Sequence, residues 1–516
     1  MSNQDGKAAW EYHNRTKHSH ASISANPHYL DGAIQPLPFK IYTTLEPIAL
    51  PRELPPIDFP ALDAIAPIEV CPAGECVPDL VTITQLLHYS AGITKRKAYP
   101  GGEVYFRAAA CTGALYHIDL YMVCGDLPSL EAGVYHFGPH DRALRCLRVG
   151  DYRATLVEAT ASEPAIAAAP AVIICSSTYW RNAWKYQARA YRHCFWDCGT
   201  LLANLLAVAA ARAVPARVVL GFIDGTVNRL LSLDTEREVA LALVAVGRTP
   251  GARPGPAPPV TPLALETIPL SKREVDYPAI RAMHGASSFT TREEVAAWRG
   301  RPPVLIEPPT SGRLFPLQPL GNDVAPPDPI DRVILRRAST RKFALVPLPI
   351  DPFSLMLERA TRGVPADFLD PPGLTLVEPY LIVNAVSGLP PGAYRFRREH
   401  AALELLKEGD FRSEAGVLDL GQELSAEASA NVFLLANLGP ILERYGNRGY
   451  RAAQLEAAII GGKLYLAAYA QRLGATGLTF FDDDVTTFFS PSAANKSVMF
   501  LVAHGSPAKR PDLRVL

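Results

Sequence analysis

Apolar and polar positions along the chain predict the same series of elements twice. Alternating apolar residues predict strands at 120–123 and 380–383, each followed by a turn and a second strand. Apolar stretches at 200–212 and 455–473 then predict long helices, and Gly474 stands where a helix cap belongs. A strand, an acidic turn, a short helix and a closing strand follow each helix. This pattern predicts an α+β domain, with helices packed on antiparallel strands, used twice.

The residues themselves repeat at a fixed spacing. Tyr135 of EAGVYHFGPHDRALRCLRVGDYR aligns with Tyr394 of PPGAYRFRREHAALELLKEGDFR, 259 positions later (394 minus 135). The same spacing pairs Gly150 with Gly409, Arg153 with Arg412, Tyr191-Arg192 with Tyr450-Arg451, and Phe222 and Asp224 with Phe481 and Asp483. After one deletion, Gly247 aligns with Gly505. These matches indicate a duplicated domain.

The repeat divides the chain into four regions. We expect an N-terminal arm at 1–60, a first domain at 61–247, a connector at 248–331 and a second domain at 332–516. The connector contains RTPGARPGPAPPVTP and many later prolines, which favour an extended path over the surface. Within it, the segment SSFTTREEVAAWR predicts a short helix capped by Thr290 or Thr291.

Composition excludes several function classes. Lysine plus arginine and aspartate plus glutamate both number 51, so net charge gives no argument for nucleic-acid or membrane-surface binding. No signal-peptide pattern and no run of about eighteen apolar residues is evident, which predicts a cytoplasmic protein without a membrane span. The eight cysteines lie between Cys71 and Cys198 without zinc-site spacing, so we expect reduced, packed thiols and no metal. The arm histidines His13, His18 and His20 indicate an arm that packs across the other copy rather than a metal site.

Three segments carry candidate chemistry. In LRRASTRKF, the residues Arg337, Ser339 and Arg341 alternate, so an extended chain presents them on one face as phosphate ligands. The alternative is a solvated basic helix start. Small residues in FRAAACTGALYHIDLY would let a flat ligand approach the backbone, although such residues are also common in loops. In WKYQARAYR, burial among aromatic residues would lower the pKa of Lys185 towards that of a base; the alternative is structural packing.

Together these motifs resemble the nitroreductase superfamily, and specifically its SagB-type (thiazole/oxazole-forming) dehydrogenases in tandem form. The resemblance covers nearly the whole chain and depends on the order of the motifs rather than on any one of them. The motifs are EYHNRTKHS, YSAGIT, RAAACTGALYHIDLY, AGVYHF, WKYQARAYR, GFIDGTVNRLLSLD, RRASTRKF and GLTFFDDDV. The resemblance implies two nitroreductase-like domains that form an intramolecular pseudo-dimer and bind FMN between them.

The resemblance also assigns roles to residues. It places the FMN phosphate end on Arg337, Ser339, Arg341, Lys509 and Arg510. It places the flavin ring along Thr476-Gly477 and against Ala110, Cys111, Thr112 and Gly113 of the other copy. The family has Pro-Ser where this chain has Ala110-Cys111. Lys185 and Tyr186 match the family's catalytic Lys-Tyr pair, for which the second copy has Arg444-Tyr445.

The basic cluster occurs only once. No lysine or arginine lies between Glu53 and Thr94, and a spacing of 259 places Pro78 and Thr82 opposite Arg337 and Arg341. The same spacing places Leu369-Asp370-Pro371-Pro372 opposite the segment 110–113. We therefore expect one composite FMN site per chain, with the phosphate clamp from the second copy and the ring-contact segment from the first.

Three functions remain open at this point. The first is oxidation of a thiazoline or oxazoline in a small molecule or peptide, with Lys185 as base, Tyr186 as orienting group and a cyclodehydratase as a possible partner. The second is an NAD(P)H-dependent nitro or quinone reductase. The third is a flavin-free interaction scaffold.

Overall fold

A computed structural model of the chain describes residues 3, 5–25, 27–66, 74–99, 102–251, 254–300, 302–305, 309–321 and 324–508. Its strands are β1 (Pro47–Ala49), β2 (Ile93–Tyr99), β3 (Gly102–Arg107), β4 (Ile118–Cys124), β5 (Gly133–Gly138), β6 (Ala143–Val149), β7 (Ala171–Thr178), β8 (Ala216–Val219), β9 (Glu238–Val246), β10 (Leu314–Pro316), β11 (Val377–Val383), β12 (Gly392–Arg397), β13 (Ala402–Glu408), β14 (Ala430–Ala436), β15 (Gly474–Gly477) and β16 (Ser497–Gly505).

Helices occupy both copies, the arm and the connector. They are α1 (Lys7–Arg15), α2 (His20–Ala25), α3 (Ala61–Ala64), α4 (Leu80–Ala91), α5 (Arg153–Ala159), α6 (Pro164–Ala168), α7 (Tyr179–Tyr186), α8 (Ala190–Ala211), α9 (Asp224–Leu230), α10 (Pro278–Ala286), α11 (Arg292–Trp298), α12 (Ile330–Arg336), α13 (Ile350–Ala360), α14 (Arg412–Leu418), α15 (Glu423–Glu427), α16 (Leu438–Tyr445), α17 (Arg448–Ala470) and α18 (Asp482–Phe489). Short 3₁₀ turns lie at Gly32–Ile34, Thr112–Ala114, Gln187–Arg189 and Arg398–His400.

Two seven-stranded sheets have the same strand order. The first runs β1-β6-β5-β4-β7-β9-β8 and the second β10-β13-β12-β11-β14-β16-β15. Every neighbouring pair in both sheets is antiparallel. Helices flank both sheets, so the predicted α+β domain, used twice, is confirmed.

The arm and the connector are more structured than the proline content predicts. Strand β1 of the arm pairs with β6, and β10 of the connector pairs with β13, so each completes the edge of a sheet. The connector also forms α10, where the prediction of an extended path is wrong, and α11, which confirms the predicted short helix. The expected cap is Thr291, whose side chain accepts from the Glu294 amide in a capping box.

The arm crosses onto the second copy, as its histidine-rich sequence led us to expect. In α1, the Ala9 amide donates to the Asn447 side chain at 2.9 Å, and His13 Nδ1 lies 3.2 Å from the Tyr450 hydroxyl. His13 is fully buried, and burial lowers its pKa well below the usual range. A buried imidazole bonded to a tyrosine is a packing element, which agrees with the structural interpretation of this residue.

The long helices α8 and α17 pack against each other at the centre of the molecule. A Cβ atom on Gly199 would lie 2.4 Å from the Ala458 Cβ, and one on Gly462 would lie 2.6 Å from the Ala203 Cβ. Glycine is therefore required at both positions for this close approach. The helical stretch Tyr179–Ala211 is long and apolar enough to cross a membrane, but 89% of its most apolar window is buried inside the protein, as in a core helix.

Two buried ion clusters join the copies reciprocally. Asp224 at the start of α9 accepts from Arg448 at 2.7 Å and from Arg451 at 2.8 Å, both on α17. Asp482 at the start of α18 accepts from Arg189 at 2.9 Å and from Arg192, on α8, at 2.6 Å. Burial opposes ionisation, yet the two arginines lower the pKa of Asp224 to about 2. Each copy thus supplies a carboxylate to two arginines of the other.

These clusters correct the alignment of the repeat at its acidic turn. Asp224 corresponds to Asp482 rather than to Asp483, since each begins a short helix and each binds two arginines. The one-residue deletion therefore precedes β15 instead of following the acidic turn. Gly474 is not the helix cap that we predicted, because α17 ends at Ala470 and Arg472 adopts the positive φ of 61°.

We predict that Asp482→Asn lowers the free energy of unfolding by about 3–5 kcal/mol, because Arg189 and Arg192 would keep buried charges without a carboxylate. The matched control is Asp483→Asn. The Asp483 side chain is 72% exposed and pairs only with Lys17 in the described part of the chain, so its loss should cost at most about 1 kcal/mol. Urea unfolding of the variants measures both values. Equal destabilisation by the two substitutions would contradict the assignment of Asp482 to the interface.

Candidate functional site

The basic cluster follows α12 and packs on the second copy's long helix. The Ser339 hydroxyl lies 3.3 Å from the Tyr465 hydroxyl, which also accepts from the Gly477 amide. Arg337 lies over the Tyr465 ring, 5.8 Å from its centre. Tyr465 thus brings Arg337 and Ser339 to Gly477, which lies far from them in sequence. Arg341 is exposed, and Thr476 is buried in β15.

The cluster also reaches the first copy. Arg337 Nε donates to the Ala108 carbonyl at 2.9 Å, and its terminal nitrogen lies 3.4 Å from the Arg107 carbonyl. Ala108 lies two residues before the small-residue segment 110–113. In the described residues, neither Arg337 nor Arg341 has a carboxylate partner. The structure therefore brings the predicted clamp of one copy to the predicted ring segment of the other, with guanidinium donors available for an anion.

The segment 110–113 is held by one buried carboxylate on α8. Asp197 accepts from the Thr112 amide at 2.9 Å, from the Thr112 hydroxyl at 2.5 Å and from the Cys111 thiol at 3.0 Å. His117 Nε2 lies 2.7 Å from the same carboxylate. Burial, and then the Asp197 charge, raise the pKa of Cys111 well above its usual value, so Cys111 is a protonated donor. The segment is therefore a preorganised loop whose backbone position is set by Asp197.

Cys111, His117 and Asp197 also form a possible metal-ligand group, with ligand atoms within 4.8 Å of one another. These atoms already have hydrogen-bond partners. His117 Nδ1 lies 2.8 Å from the Ser177 hydroxyl, and the Asp197 carboxylate binds both His117 Nε2 and the Cys111 thiol. The geometry is explained without an ion. In the described part of the chain, no disulfide joins the cysteines, and Cys71 lies outside it.

The predicted Lys-Tyr pair ends α7 beside this segment. A Cβ atom on Gly113 would lie 2.9 Å from the Tyr186 hydroxyl oxygen, so the two residues are in contact. Burial, and then the charge of Asp197, raise the pKa of Tyr186 above its usual value. Lys185 is exposed, with its ammonium 5.4 Å from the centre of the Tyr186 ring. The expectation that Lys185 is buried among aromatic residues is therefore wrong.

The symmetric position on the other side of the interface is filled by protein. There the segment 365–370 of the second copy pairs with β8 of the first. The Val218 amide donates to the Pro365 carbonyl at 2.9 Å, and the Asp367 amide donates to the Val218 carbonyl at 3.0 Å. The Asp367 carboxylate accepts from the amides of Leu220 and Gly221 at 2.9 and 2.8 Å. We call 365–370 the plug.

Further contacts hold the plug in place. Tyr445, the counterpart of Tyr186, donates its hydroxyl to the Phe368 carbonyl at 3.0 Å. Arg217 binds Asp370 at 2.6 Å. At the clamp side of the interface, β15 makes no such pairing with the segment 107–113 among the described residues. The two symmetric positions therefore differ, because one is occupied by backbone and the other is not.

The alignment of the clamp with the first copy needs a correction. Ala61 N donates to the Asp328 carbonyl and Ile330 N to the Phe59 carbonyl, a reciprocal pair that sets the spacing at 269 (330 minus 61) in this part of the repeat. Residues opposite Arg337 and Arg341 are then Ile68 and Pro72, not Pro78 and Thr82. Ile68 and Pro72 lie outside the described residues, and so do Lys509 and Arg510 of the predicted clamp. The first copy still lacks a cation there.

Sequence reasoning missed the residues that support this site. Asp197 and Tyr465 hold the ring segment and the clamp, yet both read as parts of apolar helices. Arg107 is buried between the Ile118 and Pro38 carbonyls, and burial lowers its pKa to about 10. The Thr479 hydroxyl, two residues after Gly477, is buried and has no protein partner. One signal in the sequence could have found them: Asp197 is a carboxylate within an apolar stretch that predicts a buried helix, and a buried carboxylate needs a hydrogen-bond partner.

A larger cavity lies elsewhere. It encloses about 540 Å³ between α7 and the connector, beside Trp180, Tyr277 and Arg281. Its charged walls are mostly paired, with Arg281 bound to Asp276 at 2.5 Å and Arg237 to Glu274 at 3.1 Å. The cavity enclosed by Ala110, Cys111 and Asp197 is only about 20 Å³, room for one water molecule. A larger ligand at the clamp would therefore lie on the exposed surface of Gly113, Gly477 and Arg341.

Comparison with known proteins agrees with this architecture. Residues 130–248 match the model of the nitroreductase family. A candidate nitroreductase from Anabaena variabilis has a crystal structure that is 27% identical, with a TM-score of 0.76, covering 98% of this chain and 100% of that one. A candidate nitroreductase of Methanocaldococcus jannaschii is 24% identical over 166 residues, which is 32% of this chain and 79% of that protein. The chain thus has a nitroreductase-like fold along nearly its whole length.

The Escherichia coli microcin synthetase complex is a more distant structural neighbour. It is 20% identical and covers 46% of this chain and 86% of that one, with a TM-score of 0.30. A likeness at that level carries no argument about function.

We predict that Asp367→Ala lowers the free energy of unfolding by about 1–3 kcal/mol, because the buried amides of Leu220 and Gly221 would lose their acceptor. The control is Asp370→Ala. The Asp370 side chain is 44% exposed, so its loss should lower the free energy of unfolding by at most about 1 kcal/mol. Chemical unfolding compares the two variants. Equal free energies of unfolding for the two variants would contradict the role of Asp367 in holding the plug.

Proposed function

We propose that the chain is an FMN-dependent oxidoreductase with one composite cofactor site. Arg337, Ser339 and Arg341 would bind the phosphate, and the segments 110–113 and Thr476-Gly477 would lie along the flavin ring. The observation that carries this proposal is the bond from Arg337 to the Ala108 carbonyl, which joins the two halves across the copies. The nitroreductase-family match independently supports a flavin oxidoreductase.

The residues at this position suit a flavin phosphate and ring. Two arginines without carboxylate partners can bind a phosphate with charge-assisted hydrogen bonds. Gly113 and Gly477 are exposed and have no side chains, so a flat ring can approach both backbones. The buried, unpartnered Thr479 hydroxyl offers a further polar contact. At the symmetric position the plug contacts the equivalent backbone, which supports one FMN per chain.

For the reaction, we propose dehydrogenation of a thiazoline or oxazoline to the aromatic ring. FMN, when bound, supplies a hydride acceptor. The substrate must also lose a proton, and we assign Lys185 as its acceptor on the condition that a ligand lying over Gly113 covers the exposed amine, since an ammonium group in water has no lone pair to accept a proton. Tyr186 stays protonated because its pKa is raised, so its hydroxyl can donate a hydrogen bond that orients the substrate. Arg444, the residue matching Lys185 in the second copy, cannot act as a base.

A second candidate is an NAD(P)H-dependent nitro or quinone reductase. It is favoured by the two similar proteins, both of which are named as candidate nitroreductases. An exposed ring surface would also accept varied substrates. If the reaction is azoline oxidation, a cyclodehydratase that makes the azoline is the expected partner.

We expect Arg337→Ala and Arg341→Ala each to weaken FMN binding about 10- to 100-fold, the effect of losing a charge-assisted contact of about 1.5–3 kcal/mol. Arg332→Ala is the control, since Arg332 is exposed on the preceding helix α12 and should leave affinity unchanged. Titration of flavin-stripped protein with FMN, followed by flavin fluorescence, gives the dissociation constants. Wild-type protein that binds no FMN would favour a flavin-free scaffold instead.

Lys185→Ala separates the two reactions. As a base in azoline oxidation, Lys185 should contribute at least about 100-fold to turnover of a thiazoline peptide, and Lys185→Arg should be equally impaired. Menadione reduction by NADPH should change less than about twofold. Flavin bleaching by NADPH under anaerobic conditions, without bleaching by the thiazoline peptide, would instead assign the reductase. Unchanged thiazoline turnover in Lys185→Ala would refute the role as base.

A further inference from the structure

The first copy carries a two-stranded hairpin that has no counterpart in the described part of the second copy. Strands β2 and β3 pair with each other and with no other described strand, so both outer edges are open. The repeat spacing falls from 269 before the hairpin, at Ala61 and Ile330, to 259 after it, at Tyr135 and Tyr394. The hairpin is thus an insertion of about ten residues in one copy, and it lies on the side of the composite site.

The base of the hairpin joins the site directly. Strand β3 ends at Arg107, whose carbonyl lies 3.4 Å from the Arg337 guanidinium. Ala108 donates its amide to the Gly92 carbonyl at 2.9 Å and closes the base. Phe39 of the arm packs against Tyr105, with ring centres 5.4 Å apart, and supports one face. A strand of seven residues extends roughly 23 Å from this base.

The charge of the hairpin is concentrated on one strand. Lys95, Arg96 and Lys97 are consecutive in β2, in a chain whose net charge is zero. Arg96 pairs with Glu103 of β3, while Lys95 and Lys97 have no ion pair in the described part of the chain. Lys95 is exposed, and Tyr99 and Val104 are 53% and 42% exposed. An open strand edge with unpaired cations and exposed apolar side chains suits an extended acidic peptide.

We propose that the hairpin docks an extended peptide containing acidic residues, which adds a strand to β2 and leads the reacting residue to the composite site. This inference rests on the proposed function for the reaction that follows docking, but the binding itself requires no flavin. Main-chain hydrogen bonds would supply affinity without regard to sequence. Lys95 and Lys97 would select acidic side chains, and Tyr99 and Val104 would contact apolar ones.

Fluorescence anisotropy of a labelled twelve-residue peptide of alternating glutamate and valine tests the docking. We expect the FMN-loaded wild-type protein to bind it with an affinity that falls as salt rises. The double variant Lys95→Glu/Lys97→Glu should bind about tenfold more weakly, and Lys95→Gln/Lys97→Gln should lie between. Lys7→Glu, on α1 with a side chain that is 86% exposed, should bind like wild type.

Two further measurements distinguish the failure of docking from failure of the proposed function. NADPH-driven menadione reduction and FMN content should be unchanged in the double variant, which shows that the fold and the flavin site are intact. Peptide binding without FMN uptake would support the docking surface and contradict the proposed oxidoreductase function. Normal FMN uptake with no peptide binding, equal binding by the double variant, or tighter binding of a lysine–valine peptide or of a single-stranded oligonucleotide would overturn the proposal.

Discussion

The reciprocal exchange of a buried carboxylate between the copies is the interaction on which this molecule depends. Asp224 and Asp482 each bind two arginines of the other copy at 2.6 to 2.9 Å, from its long helix or, for Arg189, from the turn that precedes that helix. Four buried guanidinium groups without these carboxylates would strongly destabilise the protein. The two copies are therefore held in the one relative arrangement that pairs each carboxylate with its two arginines. Gly199 and Gly462 then allow α8 and α17 to approach within van der Waals contact. An interface set this way necessarily creates two related positions, one on each side.

The two positions have diverged in opposite directions. On one side the plug inserts Asp367 against the amides of Leu220 and Gly221, and Tyr445 closes over it. On the other side, Asp197 holds a loop of small residues, Tyr186 contacts it, and Arg337 reaches across from the second copy. The same helices and strands therefore provide a stable interface on one side and, on the other, an accessible surface that presents Arg337 and Arg341. The hairpin insertion lies on the accessible side, so the asymmetry extends to the protein's surface.

Much of the fold was predictable from sequence, because period-two strands, the long apolar helices and the repeat spacing all reflect local patterns. Arg337 and Ser339 were also predictable as a group, since alternation along an extended chain is a local property. The plug was not, because no local signal tells that Asp367 meets β8 of the other copy. The environment of Lys185 was misjudged for the same reason: neighbouring aromatic residues face inward from α7, while Lys185 itself points to solvent. The sequence alignment of the two copies was wrong where one copy had gained or lost residues, which happened at the hairpin and before β15.

The central claim is that one interface position binds flavin and the other is filled by protein. The most direct measurement is the amount of FMN released on denaturing protein that has been saturated with FMN and freed of excess, relative to protein determined by amino-acid analysis. This account predicts one FMN per chain. Two FMN per chain would contradict it, because the plug would then have to leave the strand edge that it occupies.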